Sequence, residues 1–364
     1  MRILFCSDAL TIDGIASSIL NTGAALKRAG HEIAVVGRWS LKKGFQRRYR
    51  KEGFTVITCP SLTVGNKYFD IRAKMFHPDV IMTDPRRSFP LAVRLKRITN
   101  APIITYFLDP VEKTDRPGRD IASLVKYSSA FTAFEPDTLE QLHELGTNVP
   151  VVKMTRPLDV FFAPTEFPSR DGFNILCFGR LSRYKTPGIF HILENLRAIQ
   201  EHIPNFRINI VGGGGWRLWK LKILARRLNK SLGRKCVNVT GTQEDPRSFI
   251  ESANVVMASA TSAMESAYSL RPVIAMCSGY FGQVTSGNLD DAVKYYFSER
   301  YGKNDFTDLL PDIFRIYDRY YDDDFREDLR EVSRKLGREF SERETVRVFD
   351  EIMSGIQWHP KNSA

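Results

Sequence analysis

Cysteine is scarce in this 364-residue chain. The five that occur, Cys6, Cys59, Cys177, Cys236 and Cys277, are scattered, odd in number and free of any CxxC pair. That usage argues against a disulfide framework and predicts reduced, mostly buried thiols with no metal site. Long apolar runs are missing as well, since none approaches the roughly 20 residues of a membrane span. The apolar run in Met1–Asp8 is too short for a signal peptide and ends at an acid, so a cytoplasmic protein is expected. Acid is missing from two long stretches: 38–51 holds seven cations and no acid, and 217–235 holds eight and no acid. The net charge of +11, from 53 basic and 42 acidic residues, is therefore concentrated. Such surfaces favour phosphates, anionic headgroups or nucleic acid. Acids gather instead beyond Asp290, including Asp322, Asp323 and Asp324.

What is present is a repeated alternation of strands and helices. Residues 2–6 read as a strand and 11–18 as a turn of small residues. A helix then runs to Ala29, Gly30 caps it, and 31–36 form a second strand. This βαβ unit implies a parallel sheet. Gly14 falls where a helix N-terminus faces the sheet edge and would let backbone approach a ligand. Further strands are expected at 55–58, 79–83, 102–107, 130–134 and 149–154. The stretch from Arg38 to Gly53 carries Trp39, Phe45 and Tyr49 among its cations, which suggests contact with an anionic membrane surface or another polyanion. Residues 155–172 contain Pro157, Pro164 and Pro168 and lose periodicity, as a linker does.

The second half repeats the plan. The apolar run 173–177 predicts a buried strand, and 189–199 predicts a helix. Between them the turn Gly179-Arg180-Leu181-Ser182-Arg183-Tyr184-Lys185 puts three cations at the carboxyl edge of a sheet, where a diphosphate would be held. A strand at 206–211 leads into Gly212-Gly213-Gly214-Gly215, which suggests a tight turn close to a ligand. A basic helix is expected from Trp216 to Leu232. After a strand at 254–258 and a loop of small residues, Glu265 sits early in a short helix, where a carboxylate could accept ribose hydroxyls. The rest of the chain reads as helices at 306–321, 325–336 and 342–356.

Taken together these stretches resemble the retaining, nucleotide-sugar-dependent glycosyltransferases of the GT-B fold, the glycosyl transferases group 1. Asp13-Gly14-Ile15-Ala16 and Ala29 to Ile33 resemble that family's glycine-rich opening and its following strand. Gly179-Arg180-Leu181 with Lys185 resembles its GRL…K element. Ile210 to Gly214 resembles its glycine turn, and Glu265 to Ala275 its EAMA.G.PVIA segment. The resemblance implies an α/β chain of two Rossmann-like domains facing across a cleft. Residues 1–160 would form the acceptor-side domain and 161–340 the nucleotide-sugar donor domain. Residues 341–364 would return as a helix to the first. It implies that Arg180 and Lys185 bind the donor diphosphate and stabilise its leaving charge. Glu265 would bind the ribose, and Gly14, Gly212 and Gly213 would line the donor. Asp109 would stand on the acceptor side. The donor would be a UDP- or GDP-sugar, with no metal and no other cofactor, since no convincing Asp-x-Asp motif is found. The acceptor would be a glycan or a lipid-linked or other anionic molecule, met with peripheral contact at the inner face of a membrane through 38–51.

Two positions depart from the family pattern. The first of its two glutamates would fall at Met257, and the histidine of its acceptor-side pair is replaced in Leu108-Asp109. The alternatives are a nucleotide-sugar-binding protein without transferase activity, a sugar-nucleotide epimerase on the same fold, and a polyanion- or nucleic-acid-binding protein.

Overall fold

The computed structural model describes residues 1–10, 14–38, 44–59, 66–108, 111, 121–298 and 305–356. The chain divides into two compact units, Met1–Phe161 with Glu339–Ala364, and Phe162–Arg338.

The first unit runs β1 (Arg2–Ala9), α1 (Gly14–Arg28), β2 (Glu32–Arg38), α2 (Gly44–Lys51), β3 (Thr55–Cys59), α3 (Asn66–Phe76) and β4 (Val80–Thr83). It continues with α4 (Phe89–Thr99), β5 (Ile103–Phe107), α5 (Ile121–Tyr127), β6 (Ala130–Ala133), α6 (Pro136–Glu144) and β7 (Val151–Lys153). The strands form one parallel sheet in the order β3-β2-β1-β4-β5-β6-β7. Helices cover both faces of a parallel sheet, which is why β1, β2 and β5 are continuous apolar runs rather than alternating ones. Ile3, Leu4, Phe5, Ala34, Val35, Ile103 and Ile104 are all buried. Gly30, at φ +93°, reverses the chain after α1.

Helix α2 gives the basic stretch a different meaning from the one expected. Phe45 and Tyr49 point into the core, and the Tyr49 hydroxyl donates to the Ala16 carbonyl at 2.9 Å. Arg47, Arg50 and Lys51 stay exposed. The two described aromatics therefore hold the helix down and are unavailable for an external contact. Trp39 lies outside the described residues.

The second unit runs β8 (Asn174–Phe178), α7 (Pro187–Glu194), α8 (Leu196–His202), β9 (Arg207–Val211), α9 (Trp216–Ser231), β10 (Val237–Val239) and α10 (Arg247–Glu251). Then come β11 (Val255–Ala258), α11 (Thr261–Tyr268), β12 (Val273–Met276), β13 (Tyr280–Gln283), α12 (Leu289–Lys294), α13 (Leu309–Asp318) and α14 (Asp323–Glu339). The sheet order is β10-β9-β8-β11-β12-β13, parallel except for β13, which pairs antiparallel with β12. The single helix expected over 189–199 is two. Asn195 breaks it, leaving the helical region at φ −109° and ψ 24° while its side-chain amide donates to the His191 carbonyl at 2.8 Å.

The last helix, α15 (Glu342–Gly355), belongs to the first unit. Ser341 caps it by accepting the Glu344 backbone N–H at 3.1 Å. Val348, Phe349, Ile352 and Met353 recur at helical spacing and join Ile19, Leu20 and Ala24 in one core. Arg28 reaches Glu342 at 2.8 Å beside that contact. Phe349→Ala is accordingly expected to lower stability by about 3–5 kcal/mol in denaturant unfolding. A loss below about 1 kcal/mol would contradict the placement of α15 in this core.

Candidate functional site

In an open α/β sheet, ligands bind beyond the carboxyl ends of the strands, where the strand order reverses. In the second unit that reversal falls between β8 and β11, which pair directly with Met257 opposite Cys177. A pocket of about 290 Å³ opens there, lined by Phe178, Gly179, Arg180, Leu181, Lys185 and, across from them, Met257, Ala258 and Ser259. Lys185 is half-buried and donates through Nζ to the Ser259 hydroxyl at 2.7 Å. The bond ties the turn after β8 to the loop after β11 and fixes one cation at the mouth of the crevice. Arg180 lines the same pocket but is exposed. Arg183 is exposed, its guanidinium over the Tyr184 ring at 5.2 Å, and is not among the residues that line the pocket.

The glycines after β9 have a packing reason. The Gly179 N–H donates to the Val211 carbonyl at 3.1 Å, and the Leu181 N–H donates to the Gly213 carbonyl at 2.8 Å. The two turns thus run side by side. A Cβ on Gly212 would strike the Gly179 carbonyl, one on Gly213 the Thr242 hydroxyl, and one on Gly214 would lie 2.5 Å from Leu181 Cβ. Gly215, at φ +53°, starts α9. The run that sequence reasoning attributes to a nearby ligand is already required by the chain's own contact.

Glu265 lies on α11, in its second turn, and is only 8 % exposed. Ser259 and Ala260 alone link β11 to α11. Ala260 makes that turn at φ +56° and ψ −141°, a conformation that suits glycine, and its N–H donates to the Tyr296 carbonyl at 3.0 Å. Met257, the position of the missing glutamate, is buried within β11 with its sulfur 3.9 Å from the Cys177 sulfur. Burial pushes the Cys177 thiol up to about 12, as it should for an inert core cysteine. Among the described residues, no three His, Cys, Asp or Glu side chains gather closely enough to hold a metal ion.

The first unit has a site that sequence reasoning missed. Its strand order reverses between β1 and β4, and a cavity of about 420 Å³ opens at the carboxyl ends of β1 and β4 to β7. Phe5, Met82, Tyr106 and Thr132 line it from the strands, Thr22 from α1, and the buried Arg156 from just beyond β7. The signal available was positional: polar residues at the ends of otherwise apolar strands. Gly14 begins α1, exposed, with no described atom within 4 Å of where a Cβ would stand. Asp109 and Asp13 lie outside the described residues.

The glycosyl transferases group 1 family model matches residues 172–291, the segment that holds the crevice. Solved structures share the fold over the whole chain. Anabaena HepE in complex with UDP and glucose has 14 % identity and a TM-score of 0.67, covering 98 % of this chain and 100 % of that one. Sucrose-phosphate synthase from Thermosynechococcus elongatus has 17 % identity and a TM-score of 0.64, with 98 % of each chain covered. UDP-GlcNAc 2-epimerase from Neisseria meningitidis bound to UDP-GlcNAc has 11 % identity and a TM-score of 0.66, covering 98 % and 100 %. No curated protein matches the chain. The fold is GT-B, with two Rossmann-like units.

The glycines separate by role, and stability measurements should show it. Gly212→Ala is expected to cost about 1–3 kcal/mol or more, because backbone must shift. Gly14→Ala should cost nothing and could add up to about 1 kcal/mol as a better helix former. Ala260→Gly should stabilise by about 0.5–1 kcal/mol by relieving its φ. Equal losses at Gly212 and Gly14 in urea unfolding would refute the packing account.

Proposed function

We propose that the protein is a glycosyltransferase that takes a sugar from a nucleoside-diphosphate donor held in the second unit. The observation that carries this reading is the Lys185–Ser259 bond across the β8/β11 crevice, with Arg180 at the same mouth. Two cations at that edge suit a diphosphate. Their contribution is greatest as the glycosidic bond breaks and charge grows on the leaving phosphate. Glu265 takes the ribose hydroxyls in this reading. Uracil is the favoured base, because UDP and a UDP-sugar are named in the complexes of HepE and the epimerase on this fold. Retention at the sugar is the expectation drawn from the family.

The acceptor is assigned to the first unit's cavity, where Arg156, Tyr106 and Thr132 offer one cation and hydroxyl groups to a glycan or an anionic acceptor. Gly14, Gly212 and Gly213 are kept as donor-side backbone, and Asp109 as an acceptor-side acid. A cytoplasmic protein at a membrane surface, with 38–51 against it, remains part of the proposal, now resting on the exposed cations of α2 alone. A second reading, donor binding without transfer, is favoured by Met257, which leaves the end of β11 without an acid.

Thermal unfolding against UDP-, GDP-, ADP- and TDP-sugars tests both. The right donor at a hundred times its dissociation constant should add about 2.7 kcal/mol. Arg180→Ala and Lys185→Ala should each remove that gain and lower kcat/KM by about a hundredfold. Stabilisation without release of nucleoside diphosphate for any acceptor would select the second reading. No stabilisation by any sugar nucleotide would overturn both.

A further inference from the structure

Helix α9 buries one face and leaves the other to solvent with an unusual composition. Leu221 and Ala225 are in the core of the second unit, with Leu218, Leu224 and Leu228 packed against it. On the opposite side Trp216, Trp219 and Ile223 are 64 %, 68 % and 43 % exposed. Their spacing of three and then four residues makes one apolar stripe. Lys220 borders the stripe, and Arg226, Arg227 and Lys230 continue the same exposed face toward the helix end. No acid occurs from Trp216 to Lys235. The Arg217 guanidinium covers the Trp216 ring at 4.8 Å, and Lys220 Nζ stands 6.0 Å from it.

A merely solvated helix face would mix both signs of charge and bury its indoles. A nucleic acid would be served by the cations and by stacking on tryptophan, but an exposed isoleucine in the middle of the stripe adds nothing to that contact. A bilayer interface uses all three. Indoles settle at headgroup depth, an aliphatic side chain enters the acyl boundary, and cations meet anionic phosphates. No described helix is long and apolar enough to cross a membrane, so any contact through this face is peripheral.

We propose that α9 docks the second unit on a lipid surface rich in anionic headgroups, with Trp216, Trp219 and Ile223 inserted and Lys220, Arg226, Arg227 and Lys230 on the phosphates. The proposal does not depend on the transferase reading, since none of these residues lines the crevice. The test is co-sedimentation of the full chain with phosphatidylcholine vesicles, with and without phosphatidylglycerol. Trp216→Ser/Trp219→Ser and Arg226→Glu/Arg227→Glu are measured alongside, with thermal midpoints as the folding control. Binding to the anionic vesicles alone is expected, weakening as salt rises. Each double variant should reduce it by at least about tenfold at an unchanged midpoint. Any sugar-nucleotide shift should be unaffected, which keeps this result separate from the donor test. Absence of vesicle binding, or vesicle binding that both variants retain, overturns the proposal. So does single-stranded DNA bound more tightly than vesicles through the same residues, or a dimer that the tryptophan variant dissolves.

Discussion

The second unit's crevice depends on two turns meeting backbone to backbone. Gly179 and Leu181 donate to Val211 and Gly213, and the approach is so close that three successive glycines have no room for a Cβ. Each glycine costs conformational entropy on folding, so the sequence tolerates a loss of several tenths of a kcal/mol per residue to bring these turns together. The return is position. With the turn after β8 anchored on one side by the glycines, Lys185 can cross to Ser259 on the other, and the mouth of the crevice is held from both neighbouring strands.

The cations there are not equivalent. Lys185 is half-buried and already hydrogen-bonded, so its charge is oriented before any ligand arrives. Arg180 is exposed and gains little from any interaction while water screens it. A diphosphate that displaces water from the pocket would raise the worth of both, and more so for the one that must move least. Positioning of this kind is what an electrostatic leaving-group site requires.

Much of the fold was legible in the sequence, because fully buried parallel strands must be apolar throughout. The runs 3–6, 33–36, 103–107 and 173–177 could hardly be anything else. Elements with weaker physical signatures escaped. Strand β13 is a short antiparallel edge interrupted by Gly282, and α12 is barely longer than a turn and a half. The split at Asn195 depends on one side-chain hydrogen bond that periodicity does not register. Spacing alone does not say which way an aromatic turns, and Phe45 and Tyr49, read as outward with the cations around them, face the core. At the site, the Arg180–Lys185 turn was legible because charge at a strand end has few structural uses. The glycine run was legible only as a tight turn, since close packing of the chain on itself makes the same demand as a ligand and sequence does not separate the two. Arg156 was invisible, because its place beside Tyr106 and Thr132 is created by strands far apart in sequence.

Transferases and epimerases share this fold at similar TM-scores, so the fold itself does not choose between them. The lining of the crevice is more discriminating. Proton abstraction from a sugar carbon needs a base within reach, whereas departure of a diphosphate needs positive charge and oriented donors. Arg180 and Lys185 supply the second requirement, and among the described residues the rest of the lining, with Leu181, Ile189, Met257, Ser259 and Met276, includes neither a carboxylate nor a histidine. The two-residue link from β11 to α11 reinforces this. With only Ser259 and Ala260 between strand and helix, the position eight residues before Glu265 falls at Met257, which presents a thioether rather than an acid to the pocket. In the proposed reading, the described side chains of the crevice bring positive charge and a bound hydroxyl to the place where a leaving diphosphate would need them.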